Sequence, residues 1–534
     1  MEVNRPQAAG WSGRERSLPF LKWIAWTAGI TAAAPLLGVL LVAFGGSGAD
    51  WRGAGDYALS SLVLAVSVAS VIAPIGTITA WLVVRYRFPG RSVFSWALAL
   101  PLAVPVFALA HAYADLLDVA GPVRSGLRAS FGWSLPFEIR SMPGAVVVLS
   151  SAFYPYVFLS MKAAFRQQSG VTLEAAQSLG AGPRLALMRV AWPLAWPALA
   201  AGVALGVMET LADYGAVYFL SVQTLTTAVV RAWSVEGSVS AAAQFALPLL
   251  ALAVSLMWFE RLMRAGRRFT ASAGWRPMPV LNLSPLQAVL ATFFCGLVLS
   301  VSLIVPVGWL LIKALGVEPD VGRLLRAGVT SLSLGVSGSF LTVVLAVCLA
   351  IGARGRPLLL RLSSVGYAAP GAVIAIGLLA PVSLIWRLGQ GEVQIVLSLI
   401  LLLYAYCARL MGAAVEPIDA GLDRISPSIM QASASLGRDD ARTAWSVQLP
   451  LARGACLASM LIVFVDIMKE LPATLMLRPF NFDTLAVISS HYALDERLGQ
   501  AAWPSLLILV LSVPAVIWLS SGGASSHLKR RTSS

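Results

Sequence analysis

Twelve runs of mostly apolar residues, each about twenty long or more, follow one another along this chain, and a run of that length has few places to go. A helix of roughly 20 residues crosses a hydrocarbon core about 30 Å thick, and only helices or closed barrels satisfy their backbone groups there. The runs lie near 21–44, 57–84, 93–116, 144–165, 194–220, 241–263, 286–315, 327–351, 358–386, 393–411, 451–477 and 500–519. Strand-length alternation is missing from them, which argues against a barrel. With 58% hydrophobic and 12% charged residues over 534 positions, the chain is too apolar for a soluble protein of its size. The expected fold is an all-α polytopic membrane protein with about 12 transmembrane helices.

One polar stretch occurs twice. Glu174, Ala175, Ala176, Gly180 and Pro193 in the first copy are matched, 257 positions later, by Gln431, Ala432, Ser433, Gly437 and Pro450. A constant offset over that length indicates duplication and divides the chain into two homologous six-helix halves. The expected layout is an N-terminal tail (1–20), a first half (21–263), a linker rich in Arg, Gly and Pro (264–285), a second half (286–519) and a basic tail (520–534).

Charge placement orients these halves. Cytoplasmic loops carry the excess of Lys and Arg. With the N-terminus inside, 27 of the 39 basic residues fall on the inner side and 16 of the 25 acidic residues on the outer side. Both termini and both polar repeats are then cytoplasmic. The net charge of +14 reports membrane orientation and gives no support to a nucleic-acid partner.

Local chemistry shapes each repeat as helix, break and helix. In the first, Thr172 caps, Glu174 sits in the first turn, Gly180 stops the helix and Gly182-Pro183 starts the next. In the second, Ser426-Pro427 starts, Gly437 stops and Asp439 caps. Leu173, Ala176 and Leu179, and likewise Ile429, Ala432 and Leu436, offer a narrow apolar stripe. The alternative is a pair of ordinary loop helices packed on their own bundle.

Glu174-Ala175-Ala176, Gly180 and Val190-Ala191-Trp192-Pro193 resemble the EAA loop of ATP-binding-cassette (ABC) importer permeases. Gln431-Ala432-Ser433, Gly437 and Val447-Gln448-Leu449-Pro450 repeat its spacing, with Gln, Ser, Val and Trp replacing family residues at 431, 433, 190 and 447, and 192. The resemblance implies a type I, MetI-like importer permease in the bacterial inner membrane. It also implies that the first short helix of each repeat docks on an ATPase subunit. The partners expected are two ATP-binding subunits, a periplasmic substrate-binding protein and membrane lipid. No cofactor is expected on this chain, ATP being used by the partner subunits. No Gly-x-x-x-x-Gly-Lys-Ser/Thr loop and no Gly-x-Ser-x-Gly elbow occurs in the sequence, so catalysis by this chain is not expected. Its four cysteines and three histidines form no ligand pattern.

Two acidic pairs also recur at the 257-residue offset: Glu209 and Asp213, and Asp466 and Glu470. Four residues apart on a helix is one face. Intramembrane carboxylates are costly and often functional, so these four and Tyr214 are candidate residues of a cation path where the halves meet. The alternative is that they cap helix ends or pair with Lys469. The segments beyond them, Asp213-Tyr214-Gly215 with Thr224-Leu225-Thr226-Thr227, and Lys469 to Thr474 with Leu477 to Ala486, resemble ferric-iron importer permeases. Carboxylate and phenol oxygens suit that hard ion. Permeases for thiamine, polyamines, phosphonates and sulfate share the loop and remain alternatives for the cargo. A secondary transporter of six plus six spans is the alternative of a different class.

Overall fold

The structure, a computed structural model, describes residues 19–45, 53–133, 138–168, 191–264, 279–353, 365–367, 369–386 and 392–521, with the single residues 178, 189 and 360. The first half contributes α1 (Pro19–Gly45), α2 (Ala54–Arg85), α3 (Arg91–Ala97), α4 (Val106–Leu117), α5 (Pro122–Phe131), α6 (Met142–Gln167), α7 (Trp192–Ala212), α8 (Gly215–Phe219), α9 (Leu225–Ser234) and α10 (Val239–Arg264). The second contributes α11 (Pro285–Leu299), α12 (Val305–Leu315), α13 (Val321–Gly352), α14 (Gly371–Trp386), α15 (Glu392–Asp423), α16 (Pro427–Ser435), α17 (Asp440–Thr443), α18 (Leu449–Met468), α19 (Pro472–Leu477), α20 (Leu485–Leu494) and α21 (Leu498–Ser521). A parallel two-residue pairing, Tyr86–Arg87 with Leu281–Asn282, joins the end of α2 to the segment before α11.

Ten helical stretches among the described residues are long and apolar enough to cross a membrane, against the twelve expected. The two expected spans outside that ten are those of α1 and α14. Several boundaries also differ from the expectation. The run 93–116 is broken into α3, a 3₁₀ turn at Leu100–Ala103 and α4. Pro101 and Pro105 explain this, since proline removes a helical donor and disfavours helix in the residue before it. The runs 194–220 and 451–477 end early, at Ala212 and Met468, and each restarts as a short helix, α8 or α19. The run expected to stop at Met411 continues as α15 to Asp423.

The halves are contiguous in sequence but interlocked in space. Helix α1 packs against α13, α14 and α15 of the second half, while α12 of the second half packs against α4 of the first. Helix α10 lies on α14, and α21 lies on α3 and the 3₁₀ turn. Small residues permit the α1–α14 crossing: a Cβ on Gly38 or Gly377 would collide with the main chain of the facing helix. Polar groups pin the exchange, with Tyr404 donating to the Thr31 carbonyl at 2.5 Å, and Trp309 and Lys313 reaching Asp115 at 2.7 and 2.8 Å. Buried Lys162 of α6 donates to the Ser520 carbonyl at 3.2 Å, a cation at the C-terminal end of α21.

Candidate functional site

The duplicated breaks after α7 and α18 are built by one device. Asp213 Oδ1 accepts the N–H groups of Ala216 and Val217 at 2.9 and 3.1 Å, holding the start of α8. Glu470 accepts those of Ala473 and Thr474 at 2.9 and 2.8 Å, holding the start of α19. Further on, Ser61 of α2 accepts the N–H of Leu225 and Ser331 of α13 that of Leu485, at 2.9 and 2.8 Å. Thr224 and Thr484 cap the helices that begin there. The two halves thus fold the segments around their acidic pairs in the same way.

Those segments meet. Glu209, Asp213, Tyr214, Asp466 and Glu470, the five candidate path residues, all line one cavity of about 60 Å³, together with Arg409 and Lys469. Arg409 lies between the halves, its guanidinium 3.9 Å from Glu209 of the first and 3.3 Å from Glu470 of the second. Asp466 pairs with Lys469 at 3.0 Å. The capping and Lys469 alternative therefore describes three of the four carboxylates, and Glu209 is the one that reaches only across the interface among these contacts. Tyr214 stacks on Tyr218, ring centroids 5.3 Å apart. Among the described residues, no three His, Cys, Asp or Glu side chains converge to hold a metal ion.

Arg409 is a member of the site that the reading of the sequence overlooked. Ending its span at Met411 puts Arg409 in the last turn, where an arginine is an ordinary interfacial anchor. The helix runs on to Asp423, so Arg409 sits well inside it, with only 14% of its side chain exposed. A single arginine in a long apolar helix was the available signal. Its counterpart 257 positions earlier is Ala152, so this cation belongs to one half only.

Two larger cavities flank the small one. One of about 530 Å³ shares Tyr214 with it and is lined also by Tyr57, Arg140 and Glu496. The other, about 490 Å³, shares Asp466 and Lys469 and is lined by Tyr156, Tyr367, Glu260 and Glu416. Residues 257 apart line this second cavity together: Tyr156 with Ala413, Leu159 with Glu416, and Leu205 with Ile462. Equivalent positions of both halves therefore contribute to it.

Of the first polar repeat, Glu174, Ala175, Ala176 and Gly180 lie outside the described residues. Pro193 is in the first turn of α7, and Gln168 donates to the Ala191 carbonyl at 2.8 Å, tying the two ends of that loop together. The second repeat is described throughout. Ser426 and Pro427 start α16, Gly437 stands at φ +74° just beyond its end, and Asp439 accepts the Arg442 N–H at 2.8 Å. Ser433 is buried against Thr443, its hydroxyl 2.8 Å away, which clamps α16 to α17. Gln431 and Ala432 are exposed, as are Ile429 at 42% and Leu436 at 78%. Pro450 is in the first turn of α18.

Residues 72–269 match the family of binding-protein-dependent transport system inner membrane components. The chain is also 28% identical over 466 residues to the Fe(3+)-transport system permease protein FbpB 2 of Haemophilus influenzae, covering 85% of this chain and 87% of that protein. The chain is an ABC importer permease. The sulfate transport system permease protein CysT of Escherichia coli is 31% identical over 164 residues, covering 30% of the permease and 56% of CysT. The family match falls in the first half of the permease, whereas the similarity to FbpB 2 is long enough to extend through both. Membership accords with a multi-pass inner-membrane transport subunit and sets the secondary-transporter alternative aside.

Proposed function

We propose that this permease carries ferric iron, delivered by a periplasmic binding protein, through the interface between its halves. ATP is hydrolysed by two separate subunits docked on the repeats around 174–193 and 431–450, and both termini face the cytoplasm. The observation that carries the cation reading is the meeting of four carboxylates from two halves around one small cavity, against two fixed cations. The formal balance is two negative charges, which favours a cation over sulfate or phosphonate. The similarity to an Fe(3+)-transport permease along most of both chains supports iron among cations.

For the ATPase contact, the support is α16. It presents Ile429, Ala432 and Leu436 to solvent while Ser433 is buried to hold the helix in place. Closing of the ATPase subunits would draw the two repeats together and tilt α7 and α18, the helices that carry Glu209 and Asp466 in their last turns.

The deciding experiment is uptake of labelled ferric iron by a bacterial strain lacking its own importer and supplied with the permease, its ATPase and its binding protein. Uptake that depends on ATP and resists excess sulfate, thiamine and polyamine is the expected result. Uptake of one of those competitors instead, with none of iron, overturns the iron reading.

A further inference from the structure

The smallest of the three cavities shares Tyr214 with one larger neighbour and Asp466 and Lys469 with the other, and Arg409 lines it. The 60 Å³ space is small, and its neighbours are about eightfold larger or more. At that point one guanidinium spans from Glu209 of the first half to Glu470 of the second. Gly371, at the start of α14, lies so close that a Cβ there would meet Glu470 Oε1 at 2.5 Å and the guanidinium at 3.3 Å. The cation is therefore packed in position.

We propose that Arg409 is a tethered cation that closes the path, occupying the place between Glu209 and Glu470 that a permeating cation must take. The physical reason is counter-ion exchange. Withdrawing Arg409 from two largely buried carboxylates leaves uncompensated charge, which is strongly unfavourable by itself. A cation arriving from the binding protein supplies the missing charge, so Arg409 leaves at lower cost when cargo is present. An anion would instead bind Arg409 and leave the carboxylates unpaired. Arg409 thus acts both as gate and as the residue that selects the sign of the cargo. The single-sided placement, with Ala152 in the corresponding position of the first half, gives one gate for one path. The proposal rests on the cation reading of this site and does not require that the cation be iron.

The test is potential-driven K⁺ flux into liposomes holding the permease with its ATPase subunits, without ATP and without binding protein. The wild-type complex is expected to be tight. Arg409→Gln is expected to raise K⁺ flux by roughly tenfold or more. Arg409→Lys keeps the charge but cannot span two carboxylates as a guanidinium does, so it should leak less than Arg409→Gln. A tight Arg409→Gln complex, or equal leakage from the Lys and Gln variants, overturns the proposal. If Arg409→Gln does not assemble, Glu209→Gln decides, because it removes one arm and leaves the Glu470 arm; measurable leakage supports the gate and none overturns it. Iron uptake is measured on the same preparations after ATP and the iron-loaded binding protein are added. Absence of iron uptake with the K⁺ difference intact counts against iron alone, whereas iron uptake by the wild type with no K⁺ difference counts against the gate alone.

Discussion

Asp213 and Glu470 close the same backbone circuit in the two halves: each carboxylate accepts the N–H groups three and four residues ahead and starts a short helix after a broken span. The shared device explains why acidic residues recur there. It leaves the other two, Glu209 and Asp466, as carboxylates that pair with the side-chain cations Arg409 and Lys469.

Capping makes the first pair sensitive to removal and tolerant of amides. Asp213→Ala and Glu470→Ala each leave two buried N–H groups without a partner, at about 1–3 kcal/mol. Asp213→Asn keeps an acceptor oxygen and should cost less. Glu470→Ala should cost the most, since Arg409 also loses its nearer partner. Thermal unfolding of the purified permease in detergent gives the order; equal loss in Asp213→Asn and Asp213→Ala would show that charge and not capping matters.

The second pair should affect transport without affecting assembly. Glu209→Gln combined with Asp466→Asn is expected to lower ferric iron uptake roughly tenfold, about 1.4 kcal/mol in the barrier. Copurification with the ATPase subunit should stay unchanged. Uptake at the wild-type rate would reduce both to interface residues.

The exposed stripe of α16 predicts a docking defect. Leu436 is 78% exposed, so Leu436→Asp should change the stability of the isolated permease by no more than about 0.5 kcal/mol. Burying that aspartate in an ATPase groove is costly. Ile429→Asp combined with Leu436→Asp is expected to abolish copurification of the ATPase subunit and ATP-dependent uptake together. Retention of the subunit at wild-type stoichiometry would refute α16 as its docking element.

The crossing of α1 and α14 predicts that the halves come apart when it is overpacked. Gly377→Val places a branched side chain against the Pro35 carbonyl, where even a Cβ does not fit. A loss of about 1–3 kcal/mol or more follows. Limited proteolysis between the halves, followed by affinity purification through a tag on one, reads the result: wild-type halves should stay together, and Gly377→Val halves should separate. Gly45→Ala, where nothing lies within 4 Å of the added Cβ, serves as the neutral control.

Much of this was legible in the residues. Apolar length announced membrane helices, and the 257-residue offset announced two halves with matching acidic pairs. Ser426, Pro427, Gly437 and Asp439 specified helix, break and helix because capping and positive φ are local requirements. Boundaries were less legible. Hydropathy does not register the breaks at Asp213 and at Glu470, because the short helices that follow them are also apolar. It also stopped α15 at Met411, because the polar residues beyond it are tolerated where a helix faces a cavity.

The sequence by itself determined the class of protein, its duplicated plan and the residue types suited to a cation, because segment length, composition and local capping are properties of contiguous residues. Only the tertiary structure decided that α1 and α12 each pack against the opposite half, and that Arg409 stands between Glu209 and Glu470. Residues 209, 409 and 470 belong to three different helices or their ends, and no periodicity links them. Their meeting depends on close helix crossings, such as that of Gly38 with Gly377, and those are made by partners hundreds of residues apart.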